Sequence, residues 1–153
     1  MGDTVPRSVV EAFYRTLSKR DAAALASFLH DDVAWTISGP VDILPYCGQR
    51  KGKGEVMALL TREIPTHLQR LRFAAKTMLV DGDRAAILGR LTATKGEGGR
   101  SVSYRIAHFI QFCDNKVIDY VSIIDSFDAV EQMLGHSIDA HDGYRIEGDR
   151  VPV

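Results

Sequence analysis

One histidine interrupts an otherwise apolar strand face. Residues 100–112 are predicted to form a strand, and its even positions bring His108 between Ile106 and Ile110. Successive side chains of a strand point to opposite faces, so His108 is expected in the middle of a buried face. An imidazole titrates near neutrality and can act as an acid or a base. The alternative interpretation is a core histidine that hydrogen-bonds a backbone group or another side chain, and for a lone histidine this is the commoner case.

Other side chains could complete a site around this histidine. Asp125 ends the last predicted strand, although an aspartate there also suits the N-cap of a closing helix. Trp35 and Tyr46 could form an aromatic wall with polar tips, or simply pack in the core and in a loop. Arg90 and Arg105 could bind a carboxylate, but arginines on a sheet surface are more often solvated.

Known catalytic and cofactor motifs are missing from the chain. There is no P-loop, no dinucleotide fingerprint, no HExxH and no GxSxG. Four residues near the C-terminus could suggest a metal, but they follow no recognised ligand spacing. These are His136, Asp139, His141 and Asp142. We therefore expect no cofactor and no metal.

Composition restricts the class of protein further. The chain has 153 residues, 45% of them apolar, and a net charge of −1, which fits one globular domain with a real core. Without a basic excess, nucleic acid is not an expected partner. No apolar run approaches the roughly 20 residues of a membrane span, and no secretory signal is visible. Cys47 and Cys113 are far apart and are expected to be free thiols, so we expect a cytoplasmic protein.

The N-terminal half carries helical periodicity. Helical spacing from Val9 to Leu17 predicts a first helix near Pro6. Asp21 is expected to cap a second short helix, which Asp31-Asp32 is expected to end. Residues 33–37 read as a strand and residues 39–54 as a loop rich in glycine and proline. A third helix is predicted over residues 53–64, ended by Pro65.

From Leu68 onward the period changes towards two. Strands are predicted to about residue 79 and over residues 84–94, 100–112 and 116–124, with turns between them. A closing helix from Asp125 to Leu134 follows, and Gly135 is expected to end it. Helices followed by an antiparallel meander indicate an α+β domain over residues 1–134. Residues 135–153 are expected to form a C-terminal tail or arm.

This order of elements resembles the nuclear transport factor 2-like superfamily, and most closely its SnoaL-like, ketosteroid isomerase-related branch. The resemblance rests on short strings spread over residues 9–134. They are Phe13-Tyr14, Asp31-Asp32-Val33-Ala34-Trp35, Gly39-Pro40, Leu44-Pro45-Tyr46-x-Gly48, Gly52, Asp81-Gly82-Asp83, Leu88-Gly89-Arg90, Ala107-His108, Asp114-x-Lys116-Val117 and Asp125. It implies a cone-shaped roll, in which a curved antiparallel sheet wraps around helices and encloses a pocket, as in cystatin-like folds. It also implies a homodimer, commonly through the outer face of the sheet.

The family's catalytic positions are only partly filled. The tyrosine, basic aspartate and protonated aspartic acid of ketosteroid isomerases correspond to Phe13, Ile37 and His108, so only the third position keeps a titratable group. Tyr14 is a poor substitute for Phe13, because one residue along a helix turns a side chain by about 100°. In related polyketide cyclases a histidine pairs with an aspartate, and that second position falls at or near Ser122.

Two functions are compatible with these residues. The first is an enzyme of isomerase or cyclase type acting on a small, largely apolar or carbonyl-containing molecule. His108 would transfer the proton, with Asp125 as a candidate acid partner and Phe13, Trp35, Ile37, Tyr46 and Ser122 around the ligand. The second is a non-catalytic ligand-binding or dimerisation domain, which the missing acid–base partners favour.

Overall fold

The helices at the N-terminus begin and end at the expected kinds of residue. The computed structural model describes residues 4–96 and 99–139. Helix α1 (Arg7–Lys19) starts directly after Pro6, and α2 (Ala22–Ser27) is capped by Asp21, whose carboxylate accepts a hydrogen bond from the Ala24 N–H at 3.1 Å. The predicted cap of the second helix is confirmed.

Six strands form one curved, open sheet. They are β1 (Leu29–Ser38), β2 (Gly48–Lys51), β3 (Leu68–Asp81), β4 (Arg84–Lys95), β5 (Ser101–Cys113) and β6 (Lys116–Ile124). Their order across the sheet is β2-β1-β6-β5-β4-β3. The predicted meander from β3 to β6 is confirmed, and it is antiparallel throughout. β1 joins the sheet parallel to β6, so Leu29 at the start of β1 lies beside Val117 at the start of β6.

Two stretches differ from the sequence prediction. Residues 48–51 were expected in a loop but form edge strand β2, which pairs with residues 34–37 of β1. Asp31 and Asp32, expected to end the second helix, lie within β1. Both stretches are rich in polar or flexible residues, and pairing with a neighbouring strand outweighs their weak local preference.

The third helix continues past the proline that was expected to stop it. It consists of α3 (Lys53–Ala58), a π-helical turn (Leu59–Glu63) and α4 (Ile64–His67), with Pro65 inside the last segment. In a regular α-helix the proline ring would clash with the carbonyl four residues earlier. Here the Ile64 N–H bonds to the Leu59 carbonyl, five residues back, and the wider turn accommodates the ring.

The closing helix α5 (Ser126–Leu134) ends at Gly135, which has a left-handed backbone conformation with φ of 83°. The predicted stop is therefore confirmed. Of the predicted tail, residues 140–153 lie outside the described residues.

Cys47 and Cys113 are free thiols, as predicted. In the described part of the chain, no helix is long and apolar enough to cross a membrane.

Alternation along the strands separates the sheet into an inner and an outer face. On β5, every even-numbered residue from Val102 to Phe112 is buried and faces the helices. Phe13 of α1 packs against this inner layer, with ring contacts to Trp35 and Tyr120. The α+β fold class predicted from the sequence is confirmed, and the inner face is the surface on which a site can be built.

Candidate ligand site

His108 and Ser122 are neighbours on the inner face. Strand register places Ile87, His108, Ser122 and Ile37 side by side across β4, β5, β6 and β1. His108 is 5% exposed and Ser122 is 2% exposed, and they are the buried polar residues of the described chain. The register therefore brings two polar side chains from different strands together within an apolar layer.

A cavity of about 340 Å³ opens over this pair. Its volume is in the range of small-molecule sites in proteins. The walls come from the inner sheet face, from α1 and α2, and from the π-helical turn and α4. The lining residues are Tyr14, Leu17, Ser18, Arg20, Ala22, Leu25, Trp35, Ile37, Leu60, Thr61, Ile64, Pro65, Leu71, Phe73, Leu91, Ile106, His108, Tyr120 and Ser122. A predominantly apolar wall with a few converging polar groups is typical of a ligand site.

The imidazole of His108 is paired with a tyrosine of α1. The Tyr14 hydroxyl oxygen lies 2.7 Å from Nδ1 of His108, and the two rings are nearly parallel at a centroid distance of 5.8 Å. Phe73 and Tyr120 flank the imidazole at 4.8 and 4.9 Å. The aromatic rings hold the imidazole in one orientation, while the hydroxyl satisfies one of its two nitrogens.

Burial controls the protonation of this cluster. Desolvation lowers the pKa of His108 to about 3, so the imidazole is neutral at physiological pH. Desolvation also raises the pKa of Tyr14 above its ordinary value, and the pKa of Tyr120 rises for the same reason and because of its interaction with the Tyr14 hydroxyl. All three groups are neutral hydrogen-bonding groups near pH 7.

The second nitrogen of His108 is available to a ligand. Among the described residues, Nε2 of His108 has no hydrogen-bond partner. Trp35 Nε1 is the described side-chain polar atom that lacks both a partner and accessible surface, and Nε2 of His108 is not in that state. Nε2 therefore keeps accessible surface, and the same reasoning applies to the Ser122 hydroxyl. Because both residues are almost completely buried and line the cavity, this surface belongs to the cavity.

The structure brings together four of the residues expected at the site and leaves three apart. His108, Trp35, Ile37 and Ser122 line the cavity, whereas Phe13, Tyr46 and Asp125 do not. Phe13 is fully buried among aromatic rings, because its side of α1 faces the core. The Tyr46 hydroxyl lies 3.5 Å from that of Tyr104 in a separate buried contact. Asp125 precedes α5 and forms an ion pair with Arg105 at 3.3 Å.

Three contributors were not expected from the sequence. Tyr14 was set aside in favour of Phe13, yet Tyr14 is the residue whose side chain reaches His108. Tyr120 precedes Ser122 by two residues, so strand alternation alone could have placed it on the same face. Phe73 covers the imidazole from β3, and nothing in its local sequence distinguishes it from an ordinary core residue.

The curved sheet and the pocket on its inner face define a nuclear transport factor 2-like α+β protein. Residues 10–120 match the SnoaL-like domain model, and the chain therefore belongs to the SnoaL-like family. This confirms the resemblance inferred from the sequence.

Several solved structures share the fold over most of the chain. A candidate isomerase from Rhodopseudomonas palustris is 32% identical, with 83% of this chain and 93% of that chain covered and a TM-score of 0.73. An NTF2-like protein of unknown function from Burkholderia pseudomallei is 27% identical, with 84% and 93% covered and a TM-score of 0.70. TerC, co-crystallised with polyporic acid, is 23% identical, with 83% and 96% covered and a TM-score of 0.70, and shows the fold alone. No protein of curated function matches the chain at a significant level.

Proposed function

We propose that the cavity binds a small, largely apolar molecule through a carbonyl oxygen that accepts a hydrogen bond from Nε2 of His108. The observation that carries this proposal is a neutral, buried imidazole with one nitrogen held by Tyr14 and the other facing an apolar cavity. A carbonyl oxygen is the complementary ligand group, because it accepts hydrogen bonds and carries no charge that would have to be desolvated.

A hydrogen bond from the Tyr14 hydroxyl to Nδ1 of His108 is part of this proposal. The two atoms are 2.7 Å apart, and a neutral imidazole carries its one hydrogen on either of its two nitrogens. With the Tyr14 hydroxyl as the donor, Nδ1 is the acceptor. This leaves the remaining imidazole hydrogen on Nε2, and the imidazole acts as a donor towards the cavity.

Such a donor supports chemistry of the isomerase or cyclase type. Enolisation of a ketone breaks a C–H bond next to the carbonyl, with water or hydroxide from solution taking the proton, and leaves negative charge on the carbonyl oxygen. A fixed donor in a largely apolar site stabilises that charge. His108 can also transfer the Nε2 proton to this oxygen and so act as a general acid. The R. palustris candidate isomerase, which shares 32% of its residues with this chain, supports the same reaction class.

A second candidate function is binding without chemistry. Among the described residues that line the cavity there is no aspartate or glutamate, so no carboxylate is in place to remove the carbon-bound proton. With a pKa of about 3, His108 is itself a weak base. This composition suits a carrier or sensor of an apolar ketone as well as it suits an enzyme.

One experiment separates these functions. The purified protein is incubated in D₂O with 2-tetralone and 1-indanone, and NMR follows binding and exchange of the protons next to the carbonyl. Saturable binding with exchange faster than in buffer supports the isomerase or cyclase proposal. Saturable binding without faster exchange supports the carrier or sensor. If neither ketone binds, the cavity is not a ketone site and the proposal is wrong.

We also propose that the protein is a homodimer formed through the outer face of the sheet. Four large apolar side chains are exposed on adjacent strands there, and we call them the outer patch. They are Leu79, Leu88, Phe109 and Ile123. Register links Leu79 to Phe109 through Ala86, and Leu88 to Ile123 through Ala107. An apolar patch of this kind on a sheet is typical of an interface between subunits.

Sedimentation equilibrium tests the homodimer. Phe109, which is 51% exposed, belongs to the outer patch, and Phe109→Glu is expected to convert the dimer to a species of half the mass. Val41 is also 51% exposed but lies in the loop between β1 and β2, so Val41→Glu serves as the matched control and should leave the mass unchanged. A monomeric wild-type protein, or a dimer in the Phe109 variant, would contradict this assembly.

A further inference from the structure

A single arginine places positive charge at the cavity. Among the described lining residues, Arg20 alone carries a formal charge at neutral pH, since His108 is neutral. The rest of the lining is apolar, aromatic or hydroxyl-bearing. Arg20 is exposed, whereas His108 is buried, so the cationic group lies at the solvent side of the cavity and the imidazole lies within.

The guanidinium of Arg20 has no protein partner among the described residues. Neither a hydrogen bond nor an ion pair involves its side chain. The adjacent carboxylate, Asp21, accepts the hydrogen bond that caps α2 instead. Arg20 is therefore free to bind an anion from solution.

The backbone fixes where this side chain starts. Arg20 follows the last residue of α1 in the left-handed conformation, with φ of 53°, and its N–H bonds to the Leu17 carbonyl. Glycine or asparagine is usual at such a position, because other residues are strained there. Arg20 thus has a side chain at a position where glycine would be less strained, and that side chain lines the cavity.

We propose that the ligand is an amphipathic carboxylic acid. Its carboxylate is bound by Arg20 at the solvent side, and its apolar body extends inward and presents a carbonyl oxygen to His108. This inference rests on the proposed function, because it extends the same site from a ketone to a keto acid. Guanidinium groups bind carboxylates through two parallel hydrogen bonds, which favours a carboxylate over a neutral polar group.

The test uses benzoylalkanoic acids of three lengths and their methyl esters. The probes are 3-benzoylpropionate, 4-benzoylbutyrate and 5-benzoylvalerate, measured by isothermal titration calorimetry. The chain contains one tryptophan, Trp35, and it lines the cavity, so quenching of its fluorescence reports occupancy independently. At the best length, the acid should bind about twofold to fivefold tighter than its ester, the range expected for an exposed ion pair. This preference should shrink in high salt, because the contact is exposed.

Substitutions at two positions, Arg20 at the end of α1 and Arg15 within it, provide the variants and their control. Arg20→Gln should bind acid and ester equally, and Arg20→Lys should keep part of the preference. Arg15→Gln removes an exposed charge of the same helix that does not line the cavity, and it should keep the full preference. A purely structural role at the end of α1 would lower the melting temperature without changing the ratio of acid to ester affinity.

The outcomes separate this inference from the proposed function. If acids and esters bind equally to the wild type, or if Arg20→Gln keeps the preference, the anion contact is wrong while the ketone site stands. If neither acid nor ester binds at any length, the ketone site fails and the keto-acid inference fails with it.

Discussion

Two buried polar pairs on the same strand have different surroundings. His108 and Tyr104 lie four residues apart on the inner face of β5, and each meets a tyrosine hydroxyl from outside the strand. Tyr14 approaches His108 to 2.7 Å, whereas Tyr46 lies 3.5 Å from Tyr104. The first pair lines the cavity, and the second does not. We call them the cavity pair and the sealed pair.

The comparison shows that a polar residue on an apolar face is not in itself evidence of a binding site. Burial raises the pKa of Tyr104, and its hydroxyl and that of Tyr46 satisfy each other within close packing. His108 is also buried, but a second polar atom remains free beside an open volume. A site therefore requires spare hydrogen-bonding capacity next to empty space, and each of the following experiments tests that distinction.

The largest expected effect is on ligand chemistry. His108→Ala should slow exchange of the protons next to a bound ketone by about 10²–10³-fold, the usual loss when one donor to a developing oxyanion is removed. Tyr104→Phe removes a polar group from the same strand face outside the cavity and should leave the exchange rate unchanged. NMR in D₂O measures both. Equal rates for the wild type and His108→Ala would remove His108 from the mechanism.

The next effect is a pH dependence of stability. The pKa of His108 is lowered from 6.5 to about 3 in the folded protein, so between these values the unfolded chain binds one more proton than the folded chain. The stabilisation is fully present above pH 6.5 and is lost as the pH falls towards 3, by about 1.4 kcal/mol per pH unit. From pH 6.5 to pH 5 this amounts to about 2 kcal/mol.

Urea unfolding at several pH values checks this slope. The free energy of unfolding of the wild type should fall more steeply below pH 6.5 than that of His108→Gln, which cannot gain the proton. The sealed pair supplies the control, because neither tyrosine titrates in this range, and Tyr104→Phe should keep the slope of the wild type. Parallel curves for the wild type and His108→Gln would show that His108 titrates normally in the fold.

Much of the fold was accessible from the sequence, because local pattern and final environment agree there. Period-two alternation located the strands of the meander and placed His108 on the buried face. Edge strand β2 was not accessible, since its four residues have little preference of their own and are held by pairing with β1. The π-helical turn also escaped prediction, because Pro65 normally stops a helix and a wider turn was needed to include it.

The site was less accessible than the fold, because its partners come from distant parts of the chain. Tyr14 and His108 are separated by 94 positions, and no local pattern links them. The rotation of about 100° between adjacent helix residues was a correct reason to separate Phe13 from Tyr14. The prediction chose the wrong residue of the two, because Phe13 faces the core and Tyr14 faces the cavity. Asp125 was a chemically reasonable partner for His108, but its carboxylate is paired with Arg105.

The smallest expected effect is the change in the free energy of unfolding when one hydroxyl is removed from each pair. Tyr104→Phe leaves the Tyr46 hydroxyl without its protein partner in a closed environment, and this should cost about 1–2 kcal/mol in the free energy of unfolding. Tyr14→Phe removes a neighbour from Nδ1 of His108 and from the Tyr120 hydroxyl. Both residues line a cavity that water can enter, so the cost should stay below about 1 kcal/mol. Urea unfolding at pH 7.5, where His108 is neutral, measures both variants.

The double variant Tyr46→Phe/Tyr104→Phe tests whether an unpaired Tyr46 hydroxyl causes the loss of stability in Tyr104→Phe. Removing both hydroxyls leaves no polar group without a partner, so the double variant should be no less stable than Tyr104→Phe alone, and the two losses should not add.

Tyr14→Phe should in turn reduce ketone affinity, because Nδ1 loses the donor that fixes the hydrogen on Nε2. If Tyr14→Phe costs as much stability as Tyr104→Phe and leaves affinity intact, the cavity pair is a core contact like its neighbour, and the distinction between the two pairs fails.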